Sequence, residues 1–213
     1  TYQVNLTAKY KFNIEGSVSA LYKKLRTRQQ VAYSAFMHML DYDVVSLSPE
    51  LFFSKIKTVM RVKPMKGTMP RSVDVASDLM NRDFLKTDPK SIAENTMIVD
   101  LLRNDLSAIS QPGSVQVSRL LEVESYETVH QMTSCIQSEV DADLPFATIM
   151  RHLFPCGSIT GAPKRRTMEI IRDLECEPRH IYTGAIGYIT PENHMCFNVP
   201  IRTLLCRGSE GEL

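Results

Sequence analysis

No run of about eighteen consecutive apolar residues occurs anywhere in the 213 residues, which excludes a membrane-spanning helix of ordinary length. No charged-then-apolar stretch opens the chain, so nothing at the front reads as a signal segment. An excess of one charge is also absent. Lys and Arg total 25 against 24 Asp and Glu, and a net charge of +1 gives no field to draw nucleic acid or an anionic membrane. Of the five cysteines none belongs to a CxxC pair or has a histidine at metal-ligand spacing, which predicts reduced, mostly buried thiols. The 9 glycines and 11 prolines are scattered, so neither a linker nor a low-complexity tract divides the chain. A soluble, cytoplasmic protein whose partners are small molecules or other proteins is the reading these absences leave.

What is present is enough to build a core: 43% of residues are hydrophobic, and the length suits one domain over 1–213. The chain opens at Thr1 and stops in GSEGEL, so both ends are expected to be cuts within a longer protein. YQVNLTAKYKF reads as a strand, ALYKKLRTR as a helix from about residue 19, and DVVSLSPELFF and TVMRVKP as strands. A helix is predicted from about Ser91 to Leu106 and another from Pro163 to about Glu175. SVQVSRLLEVESY and VHQMTSCIQSEV read as extended, and YTGAIGYIT and MCFNVPIRTLLC as a hairpin around Pro191-Glu192-Asn193. Strands arriving in neighbouring runs predict an α+β fold with antiparallel sheet and helices outside. Pro200 within the last strand predicts an edge or a bulge.

Several residues invite chemical readings. Lys66, in KPMKGTMPR, suits a solvated charge, a phosphate clamp or a nucleophile. GSITGAPK is not a phosphate loop, because three residues separate Gly157 from Gly161 and Ala-Pro precedes the lysine, although the helix start after it suits an anion. Ser91 and Glu94 have capping-box spacing, yet helical periodicity turns Glu94 towards the core side, where a carboxylate wants a cation. His130 shares a strand face with Met132, Ser134 and Ile136, as a satisfied core histidine would. Glu50 after Pro49 suits a turn. Arg202, on the face of Asn198 and Leu204, suits a sheet-edge charge or a fork aimed at a carboxylate.

The ordered string QVNLT, SPELFF, PMKGTMPR, ENTMIVDLLRNDLS, VHQMTS, PCGSITGAPKRRTMEII and YTGAIGY through IRTL resembles the chorismate-utilising enzymes, over nearly the whole chain. The resemblance implies two antiparallel sheets packed face to face, helices outside and an active site between them. Within that family anthranilate synthases usually have alanine where this chain has Lys66, whereas the branch with lysine in PIKGT makes 4-amino-4-deoxychorismate from chorismate and ammonia, for 4-aminobenzoate and folate. The resemblance implies that Lys66 adds to the ring as a neutral amine, which a lysine of ordinary pKa about 10.4 is not at pH 7, so burial or a nearby ion is expected to help. Glu50 then matches the proton donor and Glu94 a magnesium ligand. Gly67, Thr68, Tyr182 and Arg202 match positions that contact chorismate, and His130 a residue lining the reacting face of the ring. Ammonia is implied to come from a glutamine amidotransferase, as a subunit or a fused domain.

Departures from the family qualify these expectations. Full enzymes have a long N-terminal portion and, after IRTL, a glycine-rich turn and a helix with a second magnesium-ligand glutamate, so half the metal site is expected to lie outside this chain. QQVAYSAF lacks the proline usual before its tyrosine, which leaves a regulatory tryptophan pocket open. The other readings are an anthranilate synthase component I, disfavoured by Lys66, and a non-catalytic fragment that binds chorismate or the amidotransferase without turnover.

Overall fold

The structure, a computed structural model, describes residues 1–213. The chain begins with β1 (Gln3–Val4), β2 (Lys11–Asn13), α1 (Val18–Arg28), β3 (Tyr33–His38), β4 (Asp43–Ser48), β5 (Leu51–Ile56), β6 (Val59–Lys63) and β7 (Met65–Pro70). Two helices follow, α2 (Val75–Thr87) and α3 (Pro89–Ser107), then the long strands β8 (Gln116–Ser125) and β9 (Val129–Glu139). The remainder comprises α4 (Phe146–Leu153), α5 (Gly157–Thr160), β10 (Gly161–Ala162), α6 (Lys164–Leu174), β11 (Ile186–Ile189), β12 (Met195–Asn198), β13 (Thr203–Arg207) and β14 (Glu210–Glu212).

Every strand pairing is antiparallel, as the sequence predicts for an α+β fold. A seven-stranded sheet runs β11-β12-β5-β6-β9-β7 with β8 also on β9, and a five-stranded sheet runs β2-β14-β13-β4-β3. The small pair β1-β10 stands apart from both. No helix is long and apolar enough to cross a membrane.

Helices cover one face of the larger sheet. Ile98, Val99, Leu102 and Leu106 of α3 and Ile149 and Leu153 of α4 pack with Met60, Val62, Ile136, Phe53 and Phe197 in the main core. The rings of Phe53 and Phe146 stack on Phe197 with centroids 5.1 and 5.0 Å away, and each buried phenyl of this kind contributes about 1.5–3 kcal/mol. A smaller core under the other sheet joins Ile14, Val18, Val45 and Cys206, with α1 closing it through Leu21 and Leu25. The cysteines are all free, two buried, two half-buried and Cys176 exposed.

Four readings differ from expectation. YQVNLTAKYKF is not one strand but β1 and β2, in different sheets, and DVVSLSPELFF is divided at Pro49 into β4 and β5, again in different sheets. Helix α3 starts earlier than Ser91, because Asp88 takes the N-cap and accepts the Ser91 N–H at 2.9 Å while Pro89 supplies the first turn. The Ser91–Glu94 capping box is therefore not formed. MCFNVPIRTLLC is not one strand: β12 belongs to the larger sheet and β13 to the smaller, and Pro200 sits in the crossing, where no ladder N–H is needed. The hairpin at Pro191–Asn193 is present between β11 and β12, with Asn193 left-handed.

Two lysines are turned inward. Lys55, 0% exposed, donates to the carbonyls of Ala142 and Asn193, and burial pulls its pKa down. Lys164, in the loop first read for phosphate, instead donates to Asp105 Oδ2 at 2.6 Å and Leu153 O at 3.1 Å, tying α6 to α3. Breaking a desolvated pair costs more than replacing it with apolar groups. Asp105→Ala should therefore lower stability by about 3 kcal/mol, and the double variant Asp105→Leu/Lys164→Met should recover more than half of that loss. Urea unfolding measures both, and an equal loss in single and double variants would contradict the pairing.

Candidate functional site

The chain passes between the two sheets twice, at Pro49–Glu50 and at Val199–Arg202. The crossings are stitched side by side, since the Val199 N–H donates to Glu50 O at 3.1 Å, and the Ser48 hydroxyl donates to Val199 O at 2.5 Å. Against these crossings lies a cavity of about 370 Å³ lined by Glu50, Lys66, Gly67, Thr68, Tyr182 and Arg202 among others. The structure thus brings six of the eight residues singled out from sequence into one space. An adjoining groove of about 470 Å³ shares Ile159, Arg179, Tyr182 and Thr183, but neither Glu50 nor Lys66 reaches it, so the smaller cavity is the chemical candidate.

Lys66 owes its direction to a bulge. On β7, Met65 pairs with Thr133 and Thr68 with Gln131, so three steps on one strand face two on the other. Gly67 supplies the backbone this needs, with φ +83°, and a Cβ there would lie 2.6 Å from Ser91 Cβ and Oγ. Gln131 pins the kink, donating to Gly67 O at 2.8 Å and accepting from the Thr68 hydroxyl at 2.9 Å. The Lys66 amine then donates to Ser158 O at 2.6 Å.

Ser158 is a shared neighbour. Its carbonyl also accepts from Asn5 Nδ2 at 3.0 Å. Asn5 is held in turn by Arg179, whose guanidinium donates to Asn5 O at 2.6 Å and Ile159 O at 2.9 Å while paired with Glu175.

Glu50 is 4% exposed, and its Oε1 has no hydrogen-bond partner. Burial pushes its pKa up; the Ser158 side chain, the charge of Lys66 and the Met65 N–H pull it only partly back. A carboxyl kept protonated above its ordinary range can give a proton away. Burial, then the nearby Glu50, push the Cys156 thiol up to about 11, so it holds its proton and offers no competing nucleophile. Arg202 departs from its expected strand face. It lies in the second crossing at φ +51°, its carbonyl accepts the Leu47 N–H at 3.1 Å, and no ion pair engages its guanidinium.

Two predicted site residues are not brought to the cavity. His130 lies on the face of β9 opposite to Gln131, towards α2. Its Nε2 lies 3.0 Å from Asp78 Oδ1 and its Nδ1 2.9 Å from the Ser125 hydroxyl, which satisfies a core histidine at both nitrogens. Arg71 first, then the Ser72 N–H and His130, hold Asp78 well below the usual carboxylate range. Glu94, 28% exposed, faces Lys90 at 3.9 Å, and no group of three or more His, Cys, Asp or Glu side chains is arranged to hold a metal. Sequence reasoning missed Asn5, Gln131, Ser158 and Arg179. Ser158 acts on Lys66 through its carbonyl, which has no signature in a sequence.

Comparison with known proteins places this geometry in context. A family model described as chorismate binding enzyme matches residues 1–213. Aminodeoxychorismate synthase component 1 of Klebsiella aerogenes is 40% identical over 203 residues, 95% of this chain and 45% of that protein. The chloroplastic aminodeoxychorismate synthase of Arabidopsis thaliana is 40% identical over 196 residues, 91% of this chain and 21% of that protein. The crystal structure of anthranilate synthase component I from Streptococcus pneumoniae superposes with a TM-score of 0.89 at 30% identity, over 100% of this chain and 47% of that one. MenF, the isochorismate synthase of Escherichia coli, shares the fold, with a TM-score of 0.85 at 20% identity over 99% of this chain and 49% of that one. The chain spans about half the length of the bacterial relative and of both superposed structures.

Two outcomes test the site's physics. Because the folded pKa of Glu50 is raised, the folded state keeps its proton to higher pH than the unfolded chain, so stability is lost as pH rises through that folded pKa. Glu50→Gln should match the native protein in thermal unfolding near pH 4 and be more stable by about 1–3 kcal/mol near neutrality; an advantage independent of pH would contradict the shift. Gly67→Ala should lose about 2–4 kcal/mol from left-handed strain plus overpacking against Ser91, and an unchanged denaturation midpoint would mean the bulge tolerates a side chain.

Proposed function

This chain belongs to the chorismate-binding enzymes, and we propose that it forms the lysine-bearing part of an aminodeoxychorismate synthase component 1, exchanging the ring hydroxyl of chorismate for an amino group. The single observation that carries the reading is Lys66 and a buried Glu50, whose pKa burial raises, facing one cavity. The Lys66 amine adds to the ring while the double bonds shift and the carbon–oxygen bond breaks, and Glu50 gives its proton so that the hydroxyl departs as water. Ammonia then adds by the reverse shift, the carbon–nitrogen bond to Lys66 breaks, and the lysine is freed. The net change is chorismate plus ammonia to 4-amino-4-deoxychorismate plus water, on the way to 4-aminobenzoate and folate.

Thr68 and Tyr182 line the cavity where the ring would sit, Gly67 lets the backbone come close, and the guanidinium of Arg202 suits a bidentate pair with a carboxylate. His130, turned to Asp78, acts in this reading by holding α2 against β9 rather than by touching the ring.

We propose Glu94 as a magnesium ligand, on the chemistry of its carboxylate. No group of three or more His, Cys, Asp or Glu side chains gathers around it, so the described residues do not complete a magnesium site and none of the steps above depends on the ion. A glutamine amidotransferase, fused or separate, is the proposed source of ammonia, and the cytoplasm the proposed location. The second reading, an anthranilate synthase, is supported by the superposition on that enzyme and opposed by Lys66.

The full-length protein, given chorismate, magnesium and ammonium, should form an amino-chorismate that keeps its pyruvyl group, as seen by mass spectrometry. Release of pyruvate with anthranilate as product would sink the assignment. Lys66→Ala should reduce turnover by at least about a hundredfold, and full activity in that variant would remove the covalent step.

A further inference from the structure

Thr183 is β-branched, 6% exposed and left-handed, with φ +61°. L side chains, and β-branched ones above all, rarely adopt that conformation. The surroundings over-determine it. Its N–H donates to Pro200 O at 3.0 Å and its hydroxyl to Tyr182 O at 2.6 Å. On either side the chain is closed by turns, from Tyr182 N–H to Arg179 O at 3.1 Å and from Gly184 N–H to Ile181 O at 3.0 Å. At the far end of the Thr183–Pro200 bond lies the crossing that carries Arg202, itself left-handed and anchored by Leu47. One backbone hydrogen bond therefore joins the turn that presents Tyr182 to the link that presents Arg202, and neither of these two segments belongs to a strand or helix.

Strain of this kind persists only where the fold enforces it, and it collects at functional sites. We propose that Thr183 is a positioning residue: its strained backbone, pinned to Pro200, couples Tyr182 and Arg202 so that they meet one anionic ligand as a unit. The inference rests on the reading of these two residues as chorismate contacts. A threonine present only to fill space predicts a different outcome, since substituting it would then leave chorismate binding alone.

Thr183→Gly keeps the N–H and removes the strain. In the full-length protein it should melt about 2–4 °C above Thr183→Ala, which loses the same hydroxyl and branch but keeps the strain, while weakening chorismate binding, measured by calorimetry, by about tenfold relative to the native protein. Thr183→Ser, which keeps the hydroxyl without the branch, should fall between. Tyr182→Phe and Arg202→Lys, singly and together, should depart from additivity in chorismate affinity by about fivefold in the native background and become additive on Thr183→Gly. Unchanged affinity in Thr183→Gly, or the same non-additivity in both backgrounds, overturns the coupling, and a Thr183→Gly variant that melts no higher than Thr183→Ala overturns the strain. Failure of the native protein to bind chorismate removes the reading of the site and this inference with it, and shows itself before any variant is compared.

Discussion

A pair of antiparallel strands that changes sheets halfway along its length is the constraint on which the rest of the molecule depends. β4 and β13 pair in the smaller sheet, β5 and β12 in the larger, and the two chains between them leave one sheet for the other in step. At such a step neither chain can continue its ladder, so backbone groups must find partners across the gap. Val199 N–H bonds to Glu50 O in the facing crossing, while Pro200 O accepts from Thr183 in a neighbouring turn and Arg202 O from Leu47 in β4. Proline stands in each crossing because its missing N–H leaves one fewer donor to satisfy. The cavity is the space this transition opens, and its walls are set by backbone, which explains why its side chains come from segments so distant in sequence.

Electrostatics within that space follow from the same geometry. Glu50 sits on the buried side of a crossing, where removal from water outweighs the attraction of Lys66 and leaves the carboxyl favouring its neutral form. Lys66 sits on the more open side with a carbonyl for its amine. A carboxyl whose pKa burial raises and an amine thus face one cavity, the arrangement that proton transfer needs. Arg202, without an ionic partner in the protein, supplies the positive charge that an anionic ligand can meet.

Much of this was legible in the sequence. The period-two runs gave most strands of the larger sheet and β2, β4 and β13 of the smaller, but not β3, β7 or β14, and the apolar periodicity of IAENTMIVDLLRNDL gave the core helix, although Asp88 and not Ser91 starts it. What stayed hidden has physical causes. Helix α2 carries Val75, Leu79, Met80 and Phe84 exposed and buries little besides Leu85, so the amphipathic pattern misleads as to which side faces in. MCFNVPIRTLLC reads as one strand because both its halves are genuinely extended, and only the tertiary arrangement separates them. Glu50 and Tyr182 enter the site only through resemblance to a family, whereas the residues alone leave Lys66 open among three readings, a nucleophile included, and Arg202 between a sheet-edge charge and a carboxylate fork. His130 shows the converse, since its plain reading as a satisfied core residue describes its contacts in this structure.

The bulge at Gly67 has an implication for how such proteins diversify. The side chain at position 66 is directed by a kink that Gln131, Thr68 and the glycine maintain among themselves, so its own identity contributes little to strand pairing. A position of that kind can be exchanged during descent without repacking a core or shifting a register. A substitution there changes the functional group offered to the cavity while leaving the scaffold intact.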